Sequence, residues 1–522
     1  MHAEGQDHLS EGLVTRTTPA EAVPATIGPV TVGTVTTRQP NEGDPELAKG
    51  AISLLQNVVT SVASSAPGQS SAVTIAALIA ASSYAGGFAI LVTTLPMLAI
   101  AFAYHRLNLW QQSCGASYVW VGRSISPYLG FMVGWIMLAG YGLGTVSDIL
   151  PIGPSVLSLF GLNASSQWGE AITVAVLGGA ITVLAVIGIT VAARFQVAMA
   201  AIEYAVLLVF AGIAFYVVFI EHRAGTVHPS WQWLSPSGVG GHGSLIAGML
   251  IAVYLFTGWD TALYLNEETE KPERNPGLSA MISVAVLAAF YFVLVVCLQG
   301  VASEAQISNN SASALTYIAS RLVSSPWDKF MALAIVLSVL GTTQAFLMSA
   351  ARISYAMGAD RVLPSVFGKI SRKHHTPAFA TVLFGGLTIG VTWLYVFSSS
   401  VSGAFNTVVS TVGVIFAVFY AVTGIATAWF YRRLAGRGVR KALIIAVLPL
   451  AGAGVLLYIA ARSVQQFPAS TRWVLVVIVG IGLVLLAFAR LVQRASFFFM
   501  GRHTFDPDAP PAAADETPAG DA

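Results

Sequence analysis

An all-α polytopic membrane protein with twelve transmembrane helices is predicted by two features of this 522-residue chain. The first is composition. Hydrophobic residues make up 55% and charged residues only 10%, with a mean hydropathy of +0.73. Soluble globular chains carry about 25% charged residues, so an ordinary cytosolic enzyme is excluded. The second is spacing: apolar runs of about 20 residues, enough to cross a bilayer, alternate with short charged loops. A net charge of +2 gives no reason to expect a nucleic-acid partner. Cys114 and Cys297 form neither a disulfide framework nor a zinc-ligand spacing. No cofactor or metal is implied.

The runs cover 53–83, 88–104, 126–148, 171–190, 195–220, 244–266, 279–302, 327–357, 378–398, 403–431, 442–461 and 473–494. Lipid offers no partner to an open peptide group, so each run must be helical except where it lines a cavity. The first, eighth and tenth are long enough to tilt or break. No secretory signal pattern precedes the first run, which is therefore expected to stay in the membrane. Five runs fall in 49–220, five in 221–431 and two in 432–500. Residues 1–48 and 501–522, rich in Pro, Ala, Thr and acidic residues, read as disordered cytoplasmic tails.

Basic residues set the orientation. With both termini cytoplasmic, only Arg223, Arg321, Lys329, Arg462 and Arg472 of the 26 lysines and arginines fall outside. The loop carrying Arg352, Arg361, Lys369, Arg372 and Lys373 and the loop carrying Arg432, Arg433, Arg437, Arg440 and Lys441 both fall inside. This follows the positive-inside rule and supports an even number of spans.

Ionisable groups are expensive inside a membrane and mark ion or substrate paths. Two acids lie within runs and away from their ends, Glu203 in the fifth and Asp260 in the sixth. Helical rise places them roughly 13 Å and 10 Å from the cytoplasmic edge. No lysine or arginine in a run centre stands ready to pair with them. Each is expected to be protonated, to meet a water-filled path, to face a cation, or to serve as a hydrogen-bonded structural acid.

Two runs carry helix breakers. The first contains Ser64-Ser65-Ala66-Pro67-Gly68-Gln69-Ser70-Ser71, the sixth Tyr254-Leu255-Phe256-Thr257-Gly258-Trp259-Asp260. Proline removes a donor and glycine loosens the backbone. Each opens a group of five runs, and interruptions at matching places in two halves point to an inverted repeat with a site at the midplane. Half-helix N-termini attract a carboxylate, and C-termini attract an ammonium or metal ion. Tyr254, Phe256 and Trp259 are candidates to cover a substrate or hold a cation, although such aromatics also serve as packing. Thr342 and Thr343, midway along the eighth run, are candidates for a sodium site with carbonyls of the first; bonding back to their own helix is the alternative.

Three further stretches carry a resemblance. They are Gly115-Ala-Ser-Tyr-Val-Trp-Val-Gly-Arg123 with Gly130-Phe131 and Gly134-Trp135; Phe256-Thr-Gly-Trp-Asp260 with Glu267-Glu268 and Lys271-Pro-Glu-Arg-Asn-Pro276; and Ser349-Ala-Ala-Arg352 with Tyr355-Ala356, Asp360, Leu363-Pro364 and Thr376-Pro377. Together, over roughly 50–490, they resemble the amino acid–polyamine–organocation superfamily of secondary transporters. The resemblance implies a LeuT-like fold: two five-helix inverted repeats and two peripheral helices. It also implies a substrate held by Ala66, Pro67, Gly68, Gln69, Ser70, Phe256, Thr257, Gly258 and Trp259, to which the aromatic reading of the break adds Tyr254. Asp260 falls where many relatives carry an acid linked to proton coupling or gating. Glu203 is the nearest equivalent of a helix-5 lysine found in some proton-coupled relatives. The first break departs from the Gly-Ser-Gly-like pattern usual in the family.

The expected function is transport of an amino acid or related amine by alternating access across the cytoplasmic membrane. A proton or sodium ion is the expected coupling partner, with Glu203 and Asp260 as coupling sites. A polyamine or organocation carrier, an exchanger and a uniporter are alternatives within the class. A major-facilitator fold is disfavoured because the loop after the second run lacks the counterpart of Gly358-Ala-Asp-Arg361. For an enzyme, the only histidine pair, His374-His375, has no metal-ligand partner at usable spacing. A receptor would bind without moving its ligand.

Overall fold

The computed structural model describes residues 45–239, 244–310, 314–398, 401–499 and 501–507. Among them there is no strand, only one isolated bridge, and ten helical stretches are long and apolar enough to cross a membrane. The first half contains α1 (Leu54–Ala63), α2 (Pro67–Ser82), α3 (Gly86–Trp110), α4 (Ser117–Ser124), α5 (Pro127–Ile149), α6 (Ile152–Leu159), α7 (Gln167–Ile187) and α8 (Ile189–Phe215). Then come α9 (Leu245–Leu255), α10 (Thr261–Tyr264), α11 (Asn275–Leu298), α12 (Glu304–Asn309), α13 (Ala314–Leu322), α14 (Lys329–Ala359), α15 (Ala378–Ser398) and α16 (Val401–Phe430). The chain closes with α17 (Arg432–Ala435), α18 (Val439–Ala442), α19 (Leu448–Gln466) and α20 (Ala469–Leu491).

The runs over 53–83 and 244–266 do not form continuous helices. The first divides into α1 and α2, the second into α9 and the single turn of α10. The third run is longer than its sequence suggests. The run ends at 148, yet the helical path continues past Pro151 and Pro154 through α6, so this span covers Pro127–Leu159. Proline is tolerated in a first helical turn because its missing N–H would lack a partner there anyway.

Helices pack in pairs drawn from the two halves: α3 on α11, α5 on α14, α7 on α15, and α2 on α9. Partners are five runs apart in sequence, where two halves of six would place them six apart. The α19 helix lies against α16 and α3. The α20 helix touches α5 but leaves Trp473, Val476, Val484 and Leu491 exposed, an apolar face suited to lipid.

At the end of the bundle where α14 finishes, the broken elements are tied together. The Ile52 N–H donates to the Glu268 carbonyl at 3.1 Å, and the Glu270 N–H donates to the Ile52 carbonyl at 2.9 Å. Asn57 Nδ2 donates to Thr269 Oγ1 at 3.1 Å and the Ala262 carbonyl at 3.3 Å. Arg352, assigned above to a basic loop, instead lies inside α14 and is 1% exposed. It faces Glu268 in a two-pronged ion pair, Nη2 to Oε1 at 2.9 Å and Nε to Oε2. Burial of this arginine requires a partner, and the acid four residues beyond α10 supplies it.

The tails expected over 1–48 and 501–522 lie mostly outside the described residues. Their described ends are not disordered. Leu47 is buried against Cys114, Ala356 and Ile370. The His503 N–H donates to the Arg123 carbonyl at 2.7 Å, and the Phe505 N–H to the Phe430 carbonyl at 3.1 Å.

Removing one member of a buried ion pair strands the other charge, at a cost of about 3–5 kcal/mol. Arg352→Ala or Glu268→Ala alone is therefore expected to lower the melting temperature of the purified protein sharply. The double variant Arg352→Met/Glu268→Leu is expected to recover most of the loss. Wild-type melting in either single variant would contradict the pair's structural role.

Candidate functional site

The first break is set by Pro67. It restricts the residue before it, and Ala66 sits in the left-handed region at φ 45°, ψ 61°. Pro67 then opens α2 as its first residue. The carbonyls left open are met by hydroxyl groups. Thr342 Oγ1 donates to the Ala63 carbonyl at 2.8 Å. The Ser65 carbonyl accepts from Tyr291 Oη at 2.8 Å and Ser70 Oγ at 2.9 Å. On the other side of the break, the Gly68 N–H donates to Glu203 Oε1 at 2.9 Å and Ser338 Oγ at 3.1 Å. Glu203, 1% exposed, is thus a carboxylate cap on the α2 N-terminus, where the helix dipole favours negative charge.

The second break turns at Gly258, with φ 99°. It packs directly on the first: a Cβ at Gly258 would lie 2.5 Å from the Ser64 carbonyl oxygen. Ser64 Oγ and Thr261 Oγ1 share a hydrogen bond of 2.7 Å across the junction. Asp260 is fully buried and held by three tyrosines. Tyr141 Oη and Tyr420 Oη donate to Oδ1 at 2.7 Å and 2.6 Å, and Tyr264 Oη donates to Oδ2. No cation stands opposite Asp260 or Glu203 among the described residues. Both acids are satisfied by neutral donors, as a hydrogen-bonded structural acid would be.

A small cavity lies between the breaks. Ser64, Ser65, Ala66 and Ser70 line it from the first, Tyr254 and Thr257 from the second. Ser147 and Asp148 reach it from α5, Thr342 and Phe346 from α14, and Val412 from α16. Its volume is about 10 Å³, room for about one water molecule. A second cavity, of about 760 Å³, lies near Cys114, Glu267 and Asp360 and shares no wall residue with the first.

Of the ten residues expected to hold substrate, Ala66, Ser70, Tyr254 and Thr257 line the cavity. Pro67, Gly68, Gln69, Phe256, Gly258 and Trp259 are not among its walls. Gln69 is fully buried. Phe256 packs edge-on to Tyr291. The Trp259 ring sits 5.1 Å from both Tyr104 and Tyr420, a packing role. Thr342 Oγ1 donates to the Ser338 carbonyl at 3.0 Å as well as to Ala63, so it both bonds back and bridges to the break. Thr343 is buried and its hydroxyl has no partner among the described residues. His374 and His375 each place Nδ1 on a backbone carbonyl, of Ile187 at 3.0 Å and Glu46 at 2.9 Å.

Sequence reasoning missed Asp148. It stands at the end of the third run as read from sequence, but roughly 16 Å of helical rise before the observed end at Leu159. It also missed Tyr141, Tyr264 and Tyr420, whose hydroxyls, placed within apolar runs, were the available signal.

A family model described as amino acid permease matches residues 51–494. The chain belongs to this family. Permeases carry solutes; the family is not one of enzymes. Among curated relatives, the permease is 27% identical over 304 residues to a low-affinity putrescine importer of Escherichia coli, covering 56% of this chain and 64% of the importer. It is 24% identical over 358 residues to an arginine/ornithine antiporter of Latilactobacillus sakei, covering 68% and 74%. It is 24% identical over 318 residues to a branched-chain amino acid permease of Bacillus subtilis, covering 57% and 64%. The match to the putrescine importer thus spans less than two thirds of that protein's length.

The contact between the breaks is testable through one glycine. Gly258→Ala forces a side chain into a left-handed backbone, a strain of about 1–3 kcal/mol, and into the Ser64 backbone as well. It is expected to lower folded yield and melting temperature. The control Gly413→Ala, helical with nothing within 4 Å of the added carbon, is expected to be neutral or stabilising by up to about 1 kcal/mol. Equal behaviour of the two variants would refute close packing of the breaks.

Proposed function

We propose that this permease is a secondary active transporter of the cell membrane that moves an amino acid or related amine by alternating access, coupled to protons. The observation that carries the reading is the cavity enclosed by two helix breaks, lined by hydroxyls and one carboxylate. Discontinuous helices at matching places in two halves are the hallmark of a midplane transport site. Pairing of helices five runs apart supports a LeuT-like 5+5 inverted repeat with α19 and α20 peripheral. Counting each broken run once, the ten continuous spans become twelve; an even count supports both termini on one side, and the bias of basic residues supports the cytoplasmic side.

Glu203 and Asp260 are the proposed coupling sites. Each carboxylate bonds a broken element to the surrounding helices: Glu203 on α8 to Gly68 of α2, and Asp260 beside α10 to Tyr141 of α5 and Tyr420 of α16. Proton binding neutralises the acceptor and weakens charge-assisted bonds, which are about twice as strong as neutral ones. The proton would thus loosen the elements that must move.

Uptake into proteoliposomes under an imposed inward proton gradient tests this. Wild type is expected to accumulate substrate, and Glu203→Gln and Asp260→Asn are each expected to lose gradient-driven accumulation. Full accumulation in both variants would remove these acids from coupling. Accumulation insensitive to the gradient in wild type would point to exchange or uniport.

A further inference from the structure

We propose that Asp148 is the carboxylate that binds the substrate's ammonium group, and that the substrate is a small primary amine carrying no carboxylate of its own. The inference rests on the transport reading above and narrows it.

Two independent features meet here. The first is an acid without a partner. Asp148 is 4% exposed and lines the cavity between the breaks. Its Oδ2 is buried with no hydrogen-bond partner among the described residues, and none of the ion pairs there includes it. The other two acids at the breaks are fully engaged, Glu203 by a peptide N–H and Asp260 by three phenols. A buried carboxylate lacking any donor is costly, and such a group in a native fold calls for an explanation. An ammonium supplies both the opposite charge and up to three donors. The adjoining walls are acceptors of the right kind: the hydroxyls of Ser65 and Ser147, and the phenol of Tyr254.

The second feature is an anion position that is already filled. In a broken helix, the N-terminus of the second half is the natural seat for a substrate carboxylate, since its N–H groups point at the ligand and its dipole favours negative charge. In α2 that seat has lost one donor to Pro67. The next, the Gly68 N–H, is taken by Glu203. A zwitterionic amino acid would have to displace a buried carboxylate to bind its own. An amine with no carboxylate makes no such demand. The chain thus supplies internally the negative group that an amino acid would bring, and keeps a free negative group for an ammonium. The cavity, with room for about one water molecule, accepts an ammonium head group, and the rest of the guest requires the breaks to part.

Binding and uptake of putrescine and ornithine, which differ only by the α-carboxylate, by the full-length protein test the proposal. Wild type is expected to bind putrescine at least about tenfold more tightly, the worth of a charge-assisted contact. Asp148→Asn is expected to weaken putrescine at least about tenfold, with the melting temperature of the ligand-free protein unchanged or raised, since a stranded charge is removed. Glu203→Ala, which removes the internal carboxylate from the α2 N-terminus and leaves the Gly68 N–H only the Ser338 hydroxyl, is expected to shift preference toward ornithine. If wild type takes up ornithine or another α-amino acid as well as it does putrescine, and Asp148→Asn changes neither, the transport reading stands and this proposal falls. If wild type binds and carries no amine and no amino acid, both fall. The wild-type comparison needs no variant to fold.

Discussion

A peptide group opened inside a hydrocarbon layer has no solvent to turn to, and the centre of this molecule is organised around that fact. Two helices are interrupted there, and every exposed carbonyl or N–H must find a protein partner. The Ala63 and Ser65 carbonyls find hydroxyls of Thr342, Ser70 and Tyr291. The Gly68 N–H finds a carboxylate, and the Gly258 N–H meets the Tyr420 phenol at 3.4 Å. These partners come from α2, α8, α11, α14 and α16, so the breaks dictate which side chains the surrounding helices must carry. Polar residues scattered through apolar runs, costly anywhere else, are stabilising here because they complete the backbone.

The same constraint sorts the buried acids. Glu203 and Asp260 are tolerated because neutral donors converge on them, and a buried charge with converging dipoles needs no counter-ion beside it. Glu268 takes a different route and pairs with Arg352. Asp148 takes neither. Of these four acids, Asp148 alone lacks a donor among the described residues, and its place at the wall of the central cavity distinguishes a group that completes the fold from one that the fold leaves open.

Much of this was legible in the sequence, and the misses have physical causes. Hydropathy located the helices, because length and apolarity are what a bilayer demands. Pro67-Gly68 and Gly258 located the breaks, because few residues tolerate such backbone. Glu203 and Asp260 stood out as charges in apolar runs. Asp148 did not, because it stands at the last position of its run, where an acid looks like a span end, although the helical path continues to Leu159. Arg352 was misread for a related reason: a basic residue near a run's end looks like a loop residue until its acid, 84 positions away, is found beside it. Trp259 illustrates another limit. Spacing places it at the break, but only packing against Tyr104 and Tyr420 reveals that its ring is spent on the interior. Periodicity reports which residues share an element, whereas orientation across elements is a tertiary property.

The distribution of contacts also constrains how such a molecule can move. Consider α1, α2, α9 and α10 as one body. The Ser64–Thr261 bond, the Asn57 bonds to Ala262 and Thr269, and the close seat of Gly258 on Ser64 all lie within it, and rigid motion of the body preserves them. The bonds that cross its boundary are a different set: Gly68 to Glu203 and Ser338, Asp260 to Tyr141 and Tyr420, Ser65 to Tyr291, Gly258 to Tyr420, Thr261 to Ser349, and Ala63 to Thr342. Glu268 to Arg352 bounds the same body at its end. Carboxylates make some of these crossings, and hydroxyls and peptide groups make the rest. Apart from Tyr264 to Asp260, the bonds named inside the body are neutral hydroxyl and amide contacts; those across it combine neutral contacts with bonds made by the carboxylates of Glu203, Asp260 and Glu268. Movement of the two breaks together against the remaining helices would preserve the contacts between them and exchange those that the three carboxylates make across the boundary. A motion that separated α1 from α10 would instead sacrifice contacts that no change of charge could loosen.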